Sequence, residues 1–199
     1  MEKLQNLSKP VLDRQRKQKI VKTNMKMEAK TIKECIEICN KEFGVEFEKA
    51  TVEQDCTEVT DIIAPSAPEV GRVSLRARHY TYLKQFAHDF TLREYEIPKI
   101  LDGYGMFILY GWINDYDHSL YRWFMGNLEV FRQKYPTLRR RKWIQSPTDR
   151  FKAYTYDIEL GPEFVVTRGG NWPTQNYMLD DYKEKTASAF AKKLIKERK

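Results

Sequence analysis

Arg72-Val-Ser-Leu-Arg-Ala-Arg-His79 alternates strictly. Val73, Leu75 and Ala77 fall on one side, and Arg72, Ser74, Arg76 and Arg78 on the other. Successive side chains of a β-strand leave opposite faces, so this period of two predicts a strand. A row of arginines along one strand face requires either solvent or an anion opposite it, because a guanidinium is costly to bury alone.

Upstream of this strand the period changes. From Met27 to Phe43, Ile32, Cys35, Ile36, Cys39 and Phe43 recur every three or four residues, which predicts a helix with one apolar stripe. Gly44 follows, the residue that best accepts the left-handed conformation just past a helix end. Cys35 and Cys39 share the stripe with Ile36 and Phe43, so they read as small core hydrophobes rather than metal ligands; no Cys-x-x-Cys completes a site. Val45 to Glu48 and Cys56 to Ile63 are expected to be strands, and Ala64 to Gly71 a turn-rich connection.

Downstream, Asp89 to Arg93 reads as a short strand, and Tyr95 to Leu101 as a helix with Pro98 in its first turn. Gly105 to Ile113 is an aromatic strand in which Phe107, Tyr110 and Trp112 are packing residues. Ser119 to Phe124 pairs beside it. Leu128 to Tyr135 reads as a helix stopped by Pro136. Phe151 to Ile158 alternates as a strand, Gly161 to Pro173 is loop-like, and Lys183 to Lys199 is a basic amphipathic helix. The order implies an α/β (α+β) protein built on a mixed β-sheet with flanking helices. Three divisions follow: a basic N-terminal extension over 1–26, a core domain over 27–160, and a loop with a basic C-terminal helix over 161–199.

With 199 residues and 41% hydrophobic side chains, the chain has material for a real core, which excludes wholesale disorder. No apolar run approaches the roughly 20 residues of a membrane span, no secretory leader is evident, and three cysteines suit a reducing compartment. A cytoplasmic protein is therefore expected, with no membrane partner.

The net charge of +7 is unevenly placed. Residues 1–30 carry +6 and residues 183–199 carry +5, whereas residues 31–182 carry −4. Within the middle, Arg139-Arg140-Arg141-Lys142 runs directly into Trp143. Basic groups displace counterions from phosphates, and arginine planes stack on aromatics, so this run and both ends point to DNA or RNA. Exposed-looking Tyr116, Tyr121 and Trp123 beside an acidic middle suit a protein partner instead. Glycine-rich nucleotide loops, His-Glu-x-x-His and a Gly-x-Ser-x-Gly elbow are absent from the sequence.

Asp55, Asp61, Val73-Ser-Leu-Arg-Ala-Arg78, Asp89-Phe-Thr-Leu-Arg93, Glu96-x-x-Lys99-Ile100, Gly103-Tyr-Gly105 and Leu109-Tyr-Gly-Trp112 together resemble a family of phage-type proteins related to the PD-(D/E)xK nucleases. The resemblance covers roughly residues 27–158. It implies an αβββαβ core, with helix 27–43, three strands within 45–79, a helix near 95–103 and a strand at 105–113. It further implies that Asp61 is the motif aspartate and a Mg²⁺ ligand, and that Ser74-Leu75-Arg76 occupies the (D/E)-x-K triplet. Two departures follow. Ser74 replaces a carboxylate, and Arg76 replaces the lysine and stays protonated, so it is a poor base but a good phosphate clamp. Asp55, Glu58, Glu34 or Glu37 would have to supply a migrated carboxylate, and Asp61 can equally serve as an ion-pair partner of Arg76.

Three functions follow from the resemblance and the charge. The first is a nucleic-acid-binding phage protein with a degenerate nuclease site, in which Arg139, Arg140, Arg141, Lys142 and Trp143 contact the nucleic acid. The second is an active Mg²⁺-dependent endonuclease with Asp61, Arg76 and Arg78 in its site. The third is a viral protein that binds a host protein.

Overall fold

The computed structural model describes residues 30–68, 71–80, 89–114, 116–138, 142–145, 152–158, 160 and 163–172. Helix α1 spans 30–43. It ends as the sequence requires: Gly44 takes φ 68° and its N–H donates to the Asn40 carbonyl at 2.9 Å. Strand β1 (Glu48–Lys49), helix α2 (Val52–Glu58) and strand β2 (Ile62–Ile63) follow, then β3 (Arg72–His79), β4 (Asp89–Arg93), α3 (Glu96–Leu101), β5 (Phe107–Ile113), β6 (Leu120–Asn127), α4 (Leu128–Lys134), β7 (Lys142–Gln145), β8 (Lys152–Asp157) and β9 (Val165–Gly170).

The protein is α+β. Six strands form one mixed sheet in the order β1-β2-β3-β5-β6-β9, and three form a second, β4-β8-β7. β3 and β5 are parallel, joined through β4 and α3, and the other pairs are antiparallel. The alternation of β3 places Val73 and Leu75 on the α1 side, packed with Cys35, Cys39 and Phe43. Both thiols are buried in this core, as the stripe predicts, and burial pushes them above their ordinary range.

The opposite face carries an aromatic core. Phe90 of the small sheet contacts the rings of Tyr110, Phe124, Phe131, Tyr156 and Phe164. Phe107, Tyr110 and Trp112 are fully buried, as expected for packing residues. The large sheet is thus the middle layer, covered by α1 on one side and by the small sheet with α3 and α4 on the other.

Three expectations are corrected. Residues 56–63 are not one strand, because Thr51 and Gln54 form a reciprocal capping box and start helix α2. That helix ends at Val59, held at φ 52°, and leaves only Ile62–Ile63 for the sheet. The strand expected at 45–48 begins at Glu48. The loop expected over 161–173 contains β9, which continues the large sheet beyond β6. The glycines Gly169 and Gly170 disguise it. A side chain at Gly169 would strike the Trp123 indole at 2.6 Å, so glycine is the residue that lets this ring lie on the edge strand. The basic helix expected over 183–199 and the extension over 1–26 lie outside the described residues. Among the described residues, no helix is long and apolar enough to cross a membrane.

Candidate functional site

β2 and β3 pair so that Asp61, one residue before β2, stands beside Ser74. Its carboxylate turns onto the arginine face of β3. Asp61 Oδ2 accepts the Leu75 N–H at 2.6 Å and lies 3.5 Å from Ser74 Oγ. Burial raises the Asp61 pKa, while the nearby Arg76 charge and the Leu75 N–H oppose that rise. Asp55, exposed on α2, is near enough to raise it further.

Arg76 does not pair directly with Asp61. Its guanidinium engages Glu96, the first residue of α3, through Nη2 to Oε1 and through Nε to Oε2 at 3.3 Å. Its third nitrogen, Nη1, donates to the Leu75 carbonyl at 2.7 Å. Glu96 is 1% exposed. Its Oε2 also accepts the Arg93 N–H at 2.9 Å, and the Arg93 guanidinium approaches Oε1 at 3.9 Å. The anion required opposite the arginine face is therefore a carboxylate of the chain itself. Burial pulls the Arg76 pKa down and the Asp61 charge counters it.

Arg78 lies two residues further along the same face and leaves this cluster. Its Nε and Nη2 donate to Thr91 Oγ1 at 3.2 and 2.6 Å, and Thr91 Oγ1 is 3.1 Å from the Tyr110 hydroxyl. So Asp61 and Arg76 come within electrostatic reach of each other, and Arg78 belongs to a neighbouring network.

The other candidate carboxylates are dispersed. Glu58 pairs with Arg72 at 3.6 Å, Glu34 Oε2 accepts the Leu120 N–H at 2.9 Å from α1, and Glu37 is exposed on α1. Mg²⁺ is held by oxygen donors with charge to spare. Here Asp61 already accepts from β3, Glu96 is committed to Arg76 and Arg93, Ser74 brings no charge, and the Arg76 cation would repel a dication. Among the described residues, no three metal-ligating side chains come together. These residues do not fit a resident Mg²⁺.

Glu96 is the residue that site reasoning from sequence omits. Its signal is faint: a glutamate opening a short helix is ordinary, and only the three-dimensional approach of α3 to β3 gives it a partner. Arg139, Arg140, Arg141 and the side chains of Lys142 and Trp143 lie outside the described residues. The backbone of Lys142–Gln145 forms β7, at the edge of the small sheet.

Comparison with protein-family models, curated proteins and solved structures gives no match. The functional reading therefore rests on the residues.

Proposed function

We propose that this chain is a nucleic-acid-binding protein in which a nuclease-like arrangement is kept as scaffold and hydrolysis is lost. One observation carries the second half. Arg76, at the position of the motif lysine, is gripped on two nitrogens by buried Glu96. A guanidinium so held neither abstracts a proton from water nor turns freely to a substrate phosphate. The order α1, β1, α2, β2, β3, β4, α3, β5 is compatible with the implied αβββαβ core if α2 and β4 are insertions into it. The charge distribution supports nucleic acid as the partner, with +6 and +5 concentrated at the two ends and a third basic run at 139–142.

The purified chain, incubated with Mg²⁺ or Mn²⁺ and single- and double-stranded DNA and RNA, is expected to cut none of them. It is expected to bind at least one, with an affinity that falls steeply as salt rises. Cleavage abolished by Asp61→Ala would establish the endonuclease instead, and a salt-independent affinity would remove phosphate contact as the basis of binding.

A further inference from the structure

The Ala50 N–H donates to the Asp61 carbonyl at 2.9 Å, and the Asp61 N–H donates to the Val73 carbonyl of β3 at 3.0 Å. Residues 51–60 are therefore an excursion closed at its base beside Asp61. Its ends are anchored, since Ala50, Val59 and Thr60 are buried. Its middle, α2, buries none of its residues.

Little in the sequence of α2 holds it as a helix. It has 7 residues, far below the roughly 12–15 at which an isolated helix becomes even marginal. It carries Glu53, Asp55 and Glu58 and no basic residue. Glu58 stands in the last turn, where the carbonyl end of a helix disfavours a carboxylate. Val59 then takes φ 52° and ψ 40°, a left-handed conformation that a β-branched residue adopts only at a cost. The Thr51–Gln54 cap starts the helix. Its far end is held from outside, by two cations. Arg72, the first residue of β3, pairs with Glu58 at 3.6 Å, and Lys99 of α3 donates through Nζ to the Cys56 carbonyl. Asp55 is near enough for its charge to act on Arg76.

A carboxylate and a carbonyl from the last turn of one short helix thus occupy Arg72 and Lys99. Oxygen anions set against a guanidinium and an ammonium are also what a phosphodiester backbone supplies. The two occupants exclude each other, because the three carboxylates of α2 repel a second polyanion at the same cations.

Resting on the nucleic-acid reading above, we infer that α2 is an acidic strap over Arg72 and Lys99, and that a DNA or RNA backbone takes these two cations only by displacing it. The strap swings out from its anchored ends. Opening removes three negative charges from the start of β3 and releases Val59 from its left-handed conformation. The coupling is reciprocal: whatever favours the open strap favours phosphate binding, and phosphate binding favours the open strap.

The test uses the full chain, with hydrogen exchange read by mass spectrometry and fluorescence anisotropy with labelled single-stranded and duplex oligonucleotides. Lys99→Met should speed exchange in residues 54–58 by about fivefold and leave α1 unchanged. A saturating oligonucleotide should speed it in the wild-type chain as well, the reverse of the protection that a ligand gives to a surface it covers. Glu53→Gln, Asp55→Asn and Glu58→Gln together should tighten binding on the order of tenfold, because the competent state is then more populated. A control with Glu37→Gln, Glu129→Gln and Glu163→Gln removes the same charge from exposed positions outside the strap and should gain far less. Exchange in 54–58 that Lys99→Met leaves unchanged, an oligonucleotide that fails to speed it, or a strap variant that gains no more than the control would overturn the strap while leaving nucleic-acid binding intact. If neither the wild type nor the strap variant binds an oligonucleotide, the functional reading falls and the strap's role falls with it.

Discussion

Glu96 holds the arginine face of β3 shut, and its removal has a definite sign. Without it, the Arg76 guanidinium loses its carboxylate in a region where water is scarce. Removing one partner of a buried pair costs several kcal/mol, but Arg76 keeps 21% of its side-chain surface accessible. Glu96→Ala should therefore lose about 2–4 kcal/mol in urea unfolding. Arg76→Leu with Glu96→Leu should lie closer to wild type than either single variant, because an apolar pair leaves no orphaned charge. Asp61 behaves oppositely. Its folded pKa lies above the ordinary carboxylate value, chiefly through burial, so the folded state holds the proton more tightly than the unfolded chain. Its contribution to stability is thus best at acid pH and declines as pH rises from the unfolded value through the folded one. Asp61→Asn keeps an oxygen for the Leu75 N–H and removes the buried charge. It should equal or exceed wild-type stability at neutral pH, and that advantage should vanish in acid; pH-dependent urea titrations of both proteins check this. A variant destabilised equally at all pH values would mean that the hydrogen bonds at Asp61 outweigh its desolvation.

Among the elements, those legible in the sequence were the ones whose side chains obey one period throughout. β3 reads correctly because Val73 and Leu75 meet the α1 core while Ser74, Arg76 and Arg78 turn away from it. The stripe of α1 reads correctly for the same reason. Residues 52–58 mislead, because α2 buries none of its residues, so its helicity comes from the Thr51–Gln54 cap and not from an apolar stripe. β9 is hidden by its two glycines, which are there for the Trp123 ring and for the backbone at Tyr121. The partner of Arg76 was illegible because it depends on how α3 approaches β3 across 20 residues of sequence. The Gly103-Tyr-Gly105 turn after α3 is held from α4. Gly105 takes φ 66° and directs its carbonyl to Arg132 of α4, whose guanidinium also donates to the Ile100 carbonyl at 2.6 Å and the Tyr104 carbonyl at 3.0 Å. One side chain thus closes the end of α3 and fixes the start of β5. Arg132→Lys supplies charge without the planar fork and should cost about 1.5–3 kcal/mol, with faster hydrogen exchange in the 101–106 turn. Unchanged exchange there would move the role of Arg132 to its surface pair with Glu129.

At the scale of the molecule, the sheet separates two chemistries. Around Asp61 the sheet pairs its own ions, Arg76 with Glu96 and Arg72 with Glu58. At the far end of β3 the exposed Tyr80 ring meets Tyr121 edge-on at 4.6 Å. Phosphate contact and base stacking respond differently to salt, which allows them to be separated. Each phosphate neutralised releases counterions and steepens the decline of log K with log salt by about 0.7 for a single strand and 0.9 for a duplex. Stacking releases none. Replacing Arg139, Arg140, Arg141 and Lys142 by alanine should therefore weaken binding to every sequence and flatten the slope by up to about 3 units on a single strand, if all four side chains meet phosphates. An unchanged slope for the basic-run variant would mean that these four side chains meet no phosphate.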